Sequence, residues 1–128
     1  MRIDHAALFC KDLDRMRQFF LDHFEAQSND LYHNPQTGLK TYILSFQEGG
    51  ARLEIMSRPD TMDIDPSRRN IGFVHLSFAV GSKKAVDEKT EELRSAGYTV
   101  TSGPRTTGDG YYESCILGPE RIQLEITV

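Results

Sequence analysis

The chain contains no tryptophan, only two cysteines in 128 residues, and no run of lysine or arginine. The scarcity of cysteine and the lack of a basic run each exclude a class of function. Cys10 and Cys115 are far apart and form no C-x-x-C pair, so a dithiol redox motif and a cysteine-rich zinc module are excluded. Both read as reduced, packed thiols of a cytoplasmic protein. The formal net charge of −4, without a basic cluster, argues against a nucleic-acid surface. No apolar stretch approaches the roughly 20 residues that a membrane span needs. Asp4 and His5 interrupt any apolar leader at once.

What is present is a repeated pair. Glu54 follows His5 by 49 positions, and Glu125 follows His75 by 50. The surroundings repeat as well. Arg52-Leu53-Glu54-Ile55 is echoed by Gln123-Leu124-Glu125-Ile126, and the apolar run around His5 is matched by the one around His75. The chain therefore reads as a duplicated module. Two imidazoles and two carboxylates make a good ligand set for one divalent cation, with zinc, nickel, cobalt, manganese and iron all suited.

Each half predicts the order β-α-β-β-β. In the first, residues 2–10 read as a strand. Asp12 then caps an amphipathic helix over 13–24, carried by Leu13, Met16, Phe20 and Phe24. A weaker strand over 26–33 and strands over 39–47 and 51–57 follow. Residues 58–70 are polar and rich in helix breakers, and read as the linker between modules 1–57 and 71–128 of a single domain. The second half predicts a strand over 71–80, a helix from Ser82 to about Ala96 stopped by Gly97, and a strand over 98–101. A loop over 103–110 and strands over 111–117 and 121–127 complete it.

Strand alternation separates the ligands from the core. Glu54 lies between Leu53 and Ile55, Glu125 between Leu124 and Ile126, and His75 between Val74 and Leu76. If the apolar neighbours pack under the helices, the His and Glu side chains face the other way. A carboxylate in an apolar strand is costly to bury unless it is paired or metal-bound. Arg52 and Met56 share a face with Glu54, Phe73 and Ser77 share one with His75, and Gln123 and Thr127 share one with Glu125. Arg52 and Arg105 are candidates for an anionic substrate group. Tyr111 and Tyr112 alternate, so one of the two rings is expected to face the cavity and alternation leaves either open; Tyr111 is taken as the candidate.

In these features the chain resembles the vicinal oxygen chelate superfamily, which contains glyoxalase I, bleomycin and fosfomycin resistance proteins and extradiol dioxygenases. The His5/Glu54/His75/Glu125 set is similar to the bacterial glyoxalase I pattern. Extradiol dioxygenases typically use two histidines and one glutamate, so the second glutamate points away from them. The resemblance implies an α+β fold: two tandem βαβββ modules forming a curved eight-stranded sheet, in two halves, around a metal-binding cavity. It implies a homodimer with one divalent metal, held within one chain or across two. It implies a lyase or isomerase that turns over a small thiol adduct, a hemithioacetal, through a metal-stabilised enediolate. Glu125 is then the expected base and Glu54 the alternative. Other implied readings are an epimerase, thiol transferase or dioxygenase on the same scaffold, or a non-catalytic binder of an antibiotic or metabolite. Glyoxalase-type chains often carry a D-P-x-G turn before the last glutamate. Here Arg121 ends Gly118-Pro119-Glu120-Arg121, which implies a different turn.

Overall fold

The structure, a computed structural model, describes residues 1–46, 49–63 and 71–128. Most of the expected linker, from residue 64 on, lies outside the described residues, as does Gln47 at the expected end of a strand. The chain divides into two compact units, 1–68 and 69–128. Among the described residues, no helix is long and apolar enough to cross a membrane.

The first unit contains β1 (His5–Phe9), α1 (Leu13–His23), β2 (Gln27–Ser28), β3 (Tyr32–Asn34), β4 (Leu39–Ser45) and β5 (Arg52–Ser57). The helix begins where its cap dictates: the Asp12 side chain accepts the Arg15 backbone N–H at 3.0 Å. Leu13, Met16, Phe19 and Phe20 form its buried stripe. They pack toward Leu44, Leu53 and Ile55, which are also buried. The strands form a sheet in the order β1-β5-β4-β2, with β3 added to β4. The single weak strand expected over 26–33 is two short strands, because 29–31 leave the ladder. Asn29 turns there instead, its side chain accepting the Ile43 N–H at 2.7 Å.

The second unit repeats the plan with β6 (Leu76–Ala79), α2 (Lys83–Ser95), β7 (Thr99–Thr106), β8 (Tyr112–Leu117) and β9 (Gln123–Thr127). Its sheet order is β6-β9-β8-β7. Ser82 caps α2 through the Ala85 N–H, and Gly97 stops it at φ +93°, a conformation that suits glycine. Val86, Thr90 and Leu93 are fully buried. Thr90 carries the one hydroxyl in this stripe, and it is satisfied: it donates to the Val86 carbonyl at 2.6 Å and so accepts from Ser114, also at 2.6 Å.

Two expected elements change length. The strand expected over 71–80 is only Leu76–Ala79, because its ladder partner β9 begins at Gln123, just after a tight turn. Ile71, Phe73 and Val74 are consequently exposed ahead of it. Conversely, the strand expected over 98–101 runs on to Thr106 through two register shifts. Gly103 makes this possible: a Cβ there would meet the Glu113 carbonyl at 2.5 Å. The expected loop over 103–110 shrinks to a tight hairpin closed by Thr107 N–H to the Tyr111 carbonyl at 2.8 Å. The turn before β9 is indeed different: Glu120 and Arg121 both take positive φ, at +52° and +63°.

The duplication extends to the helix side of each sheet. The Tyr42 hydroxyl donates to Asp14 at 3.3 Å, with Arg17 over its ring. The Tyr112 hydroxyl donates to Asp87 at 2.7 Å, with Lys83 over its ring. Tyr112 thus belongs to the helix face. Its phenol pKa is raised, first by the bond to Asp87 and then by burial. A raised folded-state value stabilises below the unfolded pKa of about 10, and that contribution is lost as pH rises through the folded value. Replacing Asp87 by Ala is expected to bring the Tyr112 titration down toward the ordinary value, read from phenolate absorbance. The variant should also lose less of its stability than the parent between about pH 9 and 11. An unchanged titration would refute the assignment.

Candidate metal centre

The topology decides where the repeated residues meet. In each unit the first strand pairs in parallel with the last, β1 with β5 and β6 with β9. A residue from the start of the unit and one from its end, about 50 positions apart in sequence, therefore become neighbours. Ala7 stands opposite Glu54, and Ser77 stands opposite Glu125. Leu53 and Ile55 on one side, and Leu124 and Ile126 on the other, are buried. The two glutamates emerge on the opposite, helix-free face, as alternation requires.

In the first unit His5 Nε2 is 3.9 Å from Glu54 Oε2. The other ring nitrogen is engaged: His5 Nδ1 lies 3.0 Å from the Asp4 carboxylate. Asp4 is in turn held by Arg52, and by Arg2 at 3.5 Å. The hydrogen bond from His5, followed by the one from Arg52, pulls the Asp4 pKa to about 2. An ionised Asp4 accepts a hydrogen bond from Nδ1–H, which in neutral His5 puts the lone pair on Nε2, toward Glu54.

In the second unit His75 Nε2 is 3.6 Å from Glu125 Oε2. The other Glu125 oxygen accepts a hydrogen bond from the Ser77 hydroxyl at 2.6 Å. On the far side of β9, Cys115 stands opposite Glu125, and Glu113 projects from the same face. Potential ligand atoms of Glu113, Cys115 and Glu125 all lie within 4.8 Å of one another. Burial, then the charge of Glu125, raises the Glu113 pKa, while Arg105 at 3.6 Å opposes the rise. Burial and the same carboxylates raise the Cys115 thiol, so it stays protonated near neutral pH.

The sequence-predicted ligands thus meet as two pairs, one in each unit. Arg52 and Arg105 each already face a carboxylate, Asp4 and Glu113 respectively. Arg105 also donates to Ser102 at 2.9 Å. Tyr111 is exposed at the end of the β7–β8 hairpin. Phe73 lies outside the strand that carries Ser77. Asp4, Glu113 and Cys115 escaped sequence reasoning. Alternation along β8 puts Glu113 and Cys115 on one face, but only the register against β9 makes that the face of Glu125. A cleft of about 420 Å³ at the start of α1, lined by Lys11, Leu13, Leu31 and Lys40 among others, contains none of these residues.

The donor set fits a divalent cation. Two ligand atoms each about 2.0–2.2 Å from a shared ion stand about 3–3.5 Å apart at usual coordination angles. The two His–Glu separations, 3.9 and 3.6 Å, lie close to that span. As bare ion pairs the same contacts are weak, because all four side chains retain solvent access.

Comparison with known proteins gives a consistent result. The profile of the Glyoxalase/Bleomycin resistance protein/Dioxygenase superfamily matches residues 2–126. An uncharacterised Bacillus subtilis (strain 168) protein, YqjT, is 28% identical over 126 residues, covering 95% of this chain and 94% of its own. Among solved structures, a glyoxalase family protein from Enterococcus faecalis superposes with a TM-score of 0.83 at 18% identity, covering 99% and 97% of the two chains. The trypanothione-dependent Leishmania major glyoxalase I gives 0.78 at 15% identity, covering 99% and 86%. At these identities the structural matches establish the fold.

Proposed function

Because the chain belongs to the glyoxalase/bleomycin resistance protein/dioxygenase superfamily, we propose that it is a metal-dependent enzyme of the glyoxalase I type. Its substrate would be a hemithioacetal or a related small α-oxygenated compound. The observation that carries this reading is the twofold His–Glu pairing, at 3.9 and 3.6 Å, produced by the same parallel strand pairing in both units.

His5, Glu54, His75 and Glu125 would hold one divalent cation, of zinc, nickel, cobalt, manganese or iron. The pairs would join within one chain or between two copies in a homodimer. The exposed apolar residues Ile3, Phe9, Ile71, Phe73 and Val74 support a second copy as partner. A cation bound there acts as a Lewis acid, offsetting negative charge that develops on the vicinal substrate oxygens.

The protein supplies the proton transfer. The substrate proton to be moved sits on the carbon bearing the hydroxyl and the thioether, next to a carbonyl. Glu125 accepts it, and the electron pair moves toward the carbonyl oxygen to form the enediolate. Glu125 then returns the proton to the neighbouring carbon, and the proton of the original hydroxyl passes to the former carbonyl oxygen, which leaves a 2-hydroxyacyl thioester. Glu54 is the alternative base. Arg52, Arg105 and Tyr111, all partly exposed, are the candidates for gripping an anionic or polar end of the substrate.

The test is metal analysis of the purified protein, paired with a hemithioacetal isomerase assay on apo-protein reloaded with each metal. About one metal per four-residue set, with turnover restored by reloading, is the expected result. Tight stoichiometric metal without turnover would redirect the search to an epimerase, thiol transferase or dioxygenase. No metal under any loading would leave a binder of an antibiotic or metabolite.

A further inference from the structure

The two carboxylates that the duplication makes equivalent do not have equivalent surroundings. Glu54 is flanked across the sheet by Ala7 on β1 and Ile43 on β4, and neither side chain offers it a hydrogen bond. Among the described residues its one polar approach is His5, at 3.9 Å. Glu125 is flanked by Ser77 on β6 and Cys115 on β8. The Ser77 hydroxyl donates to Oε1 at 2.6 Å, while Oε2 is the oxygen facing His75 at 3.6 Å. Glu125 is also the less exposed of the two, its side chain 15% accessible against 23% for Glu54.

We propose that Ser77 is a positioning residue for Glu125: by occupying Oε1 it turns Oε2 toward His75, so the carboxylate of the second His–Glu pair is preorganised for a cation and that of the first is not. The proposal rests on the metal-binding reading above. Its physical basis is twofold. A carboxylate on three side-chain torsions has several orientations, and a charge-assisted hydrogen bond at one oxygen removes most of them before any ligand arrives. The tether also restricts Glu125 to one-oxygen ligation, because the second oxygen is already engaged. The first unit is the internal control: Ala7 occupies the place of Ser77, so Ser77→Ala would give the second pair the flanking group of the first.

The test is cobalt(II) titration of apo-protein against a chromophoric chelator, together with the visible spectrum of the loaded protein. The samples are the parent, Ser77→Ala and Ser77→Thr. The expected loss in Ser77→Ala is about 10- to 100-fold in affinity, as for other groups that orient a metal ligand, with a changed cobalt spectrum. Ser77→Thr keeps the hydroxyl and is expected to stay within about threefold of the parent, with the parent spectrum. Parent-like affinity and spectrum in Ser77→Ala would overturn the assignment while leaving the metal site intact. Equal weakening in both variants would overturn it too, because loss with the hydroxyl present points to strand packing. A parent protein that takes up no cobalt would remove the metal reading, and this inference with it.

Discussion

Glu125→Gln is expected to lower hemithioacetal turnover by about 100- to 10,000-fold, the range for loss of a positioned general base. The substitution is nearly isosteric. It keeps an amide oxygen able to face His75 or to accept from Ser77, so metal content, measured on the same sample, should persist. What it removes is the group proposed to accept the proton. The neighbourhood suits that task. Glu125 is largely enclosed, and Glu113 beside it is pushed toward the neutral form by burial and by the charge of Glu125. Glu54→Gln is the necessary comparison. A fall confined to Glu54→Gln would transfer the base role to the first unit. Full activity in Glu125→Gln would reject the assignment. Loss of metal and activity together would instead assign Glu125 a ligating role alone.

The largest effect on stability is expected in the core of the first unit. Phe20→Ala should cost about 3–5 kcal/mol, read as a fall in the urea midpoint. Phe20 is completely buried in α1, with the rings of Phe19, Phe24 and Phe46 at 5.2, 5.5 and 6.4 Å. Removing it leaves a cavity among side chains that hold the helix to β4 and β5. The surface control Lys84→Ala should stay within about 0.5 kcal/mol. A loss below about 1 kcal/mol at Phe20 would mean that the ring cluster collapses to fill the space. Since β5 carries Glu54 on its other face, Phe20→Ala should also loosen the first His–Glu pair before the second.

The features readable in advance were those set by neighbours along the chain. Asp12 and Ser82 are capping residues by chemistry, and the helices begin beside them. Glu54 and Glu125 each sit between two branched aliphatic residues, and alternation alone sends them away from the core. The errors arose where a distant segment decides. The strand expected from Ile71 shortens to begin at Leu76 because β9 starts only at Gln123. The loop expected at Gly103 becomes strand because β8 extends the ladder past a glycine bulge.

The duplicated His–Glu spacing, the capped helices and the faces of the ligand-bearing strands were determined by the sequence itself, because backbone geometry fixes side-chain direction residue by residue. The tertiary structure decided which side chains touch. It placed Asp4 on His5 Nδ1, Ser77 on one oxygen of Glu125, and Glu113 and Cys115 beside the other flank. Strand register makes those contacts. It depends on turns, bulges and pairing partners far away in the chain, and no local pattern encodes it.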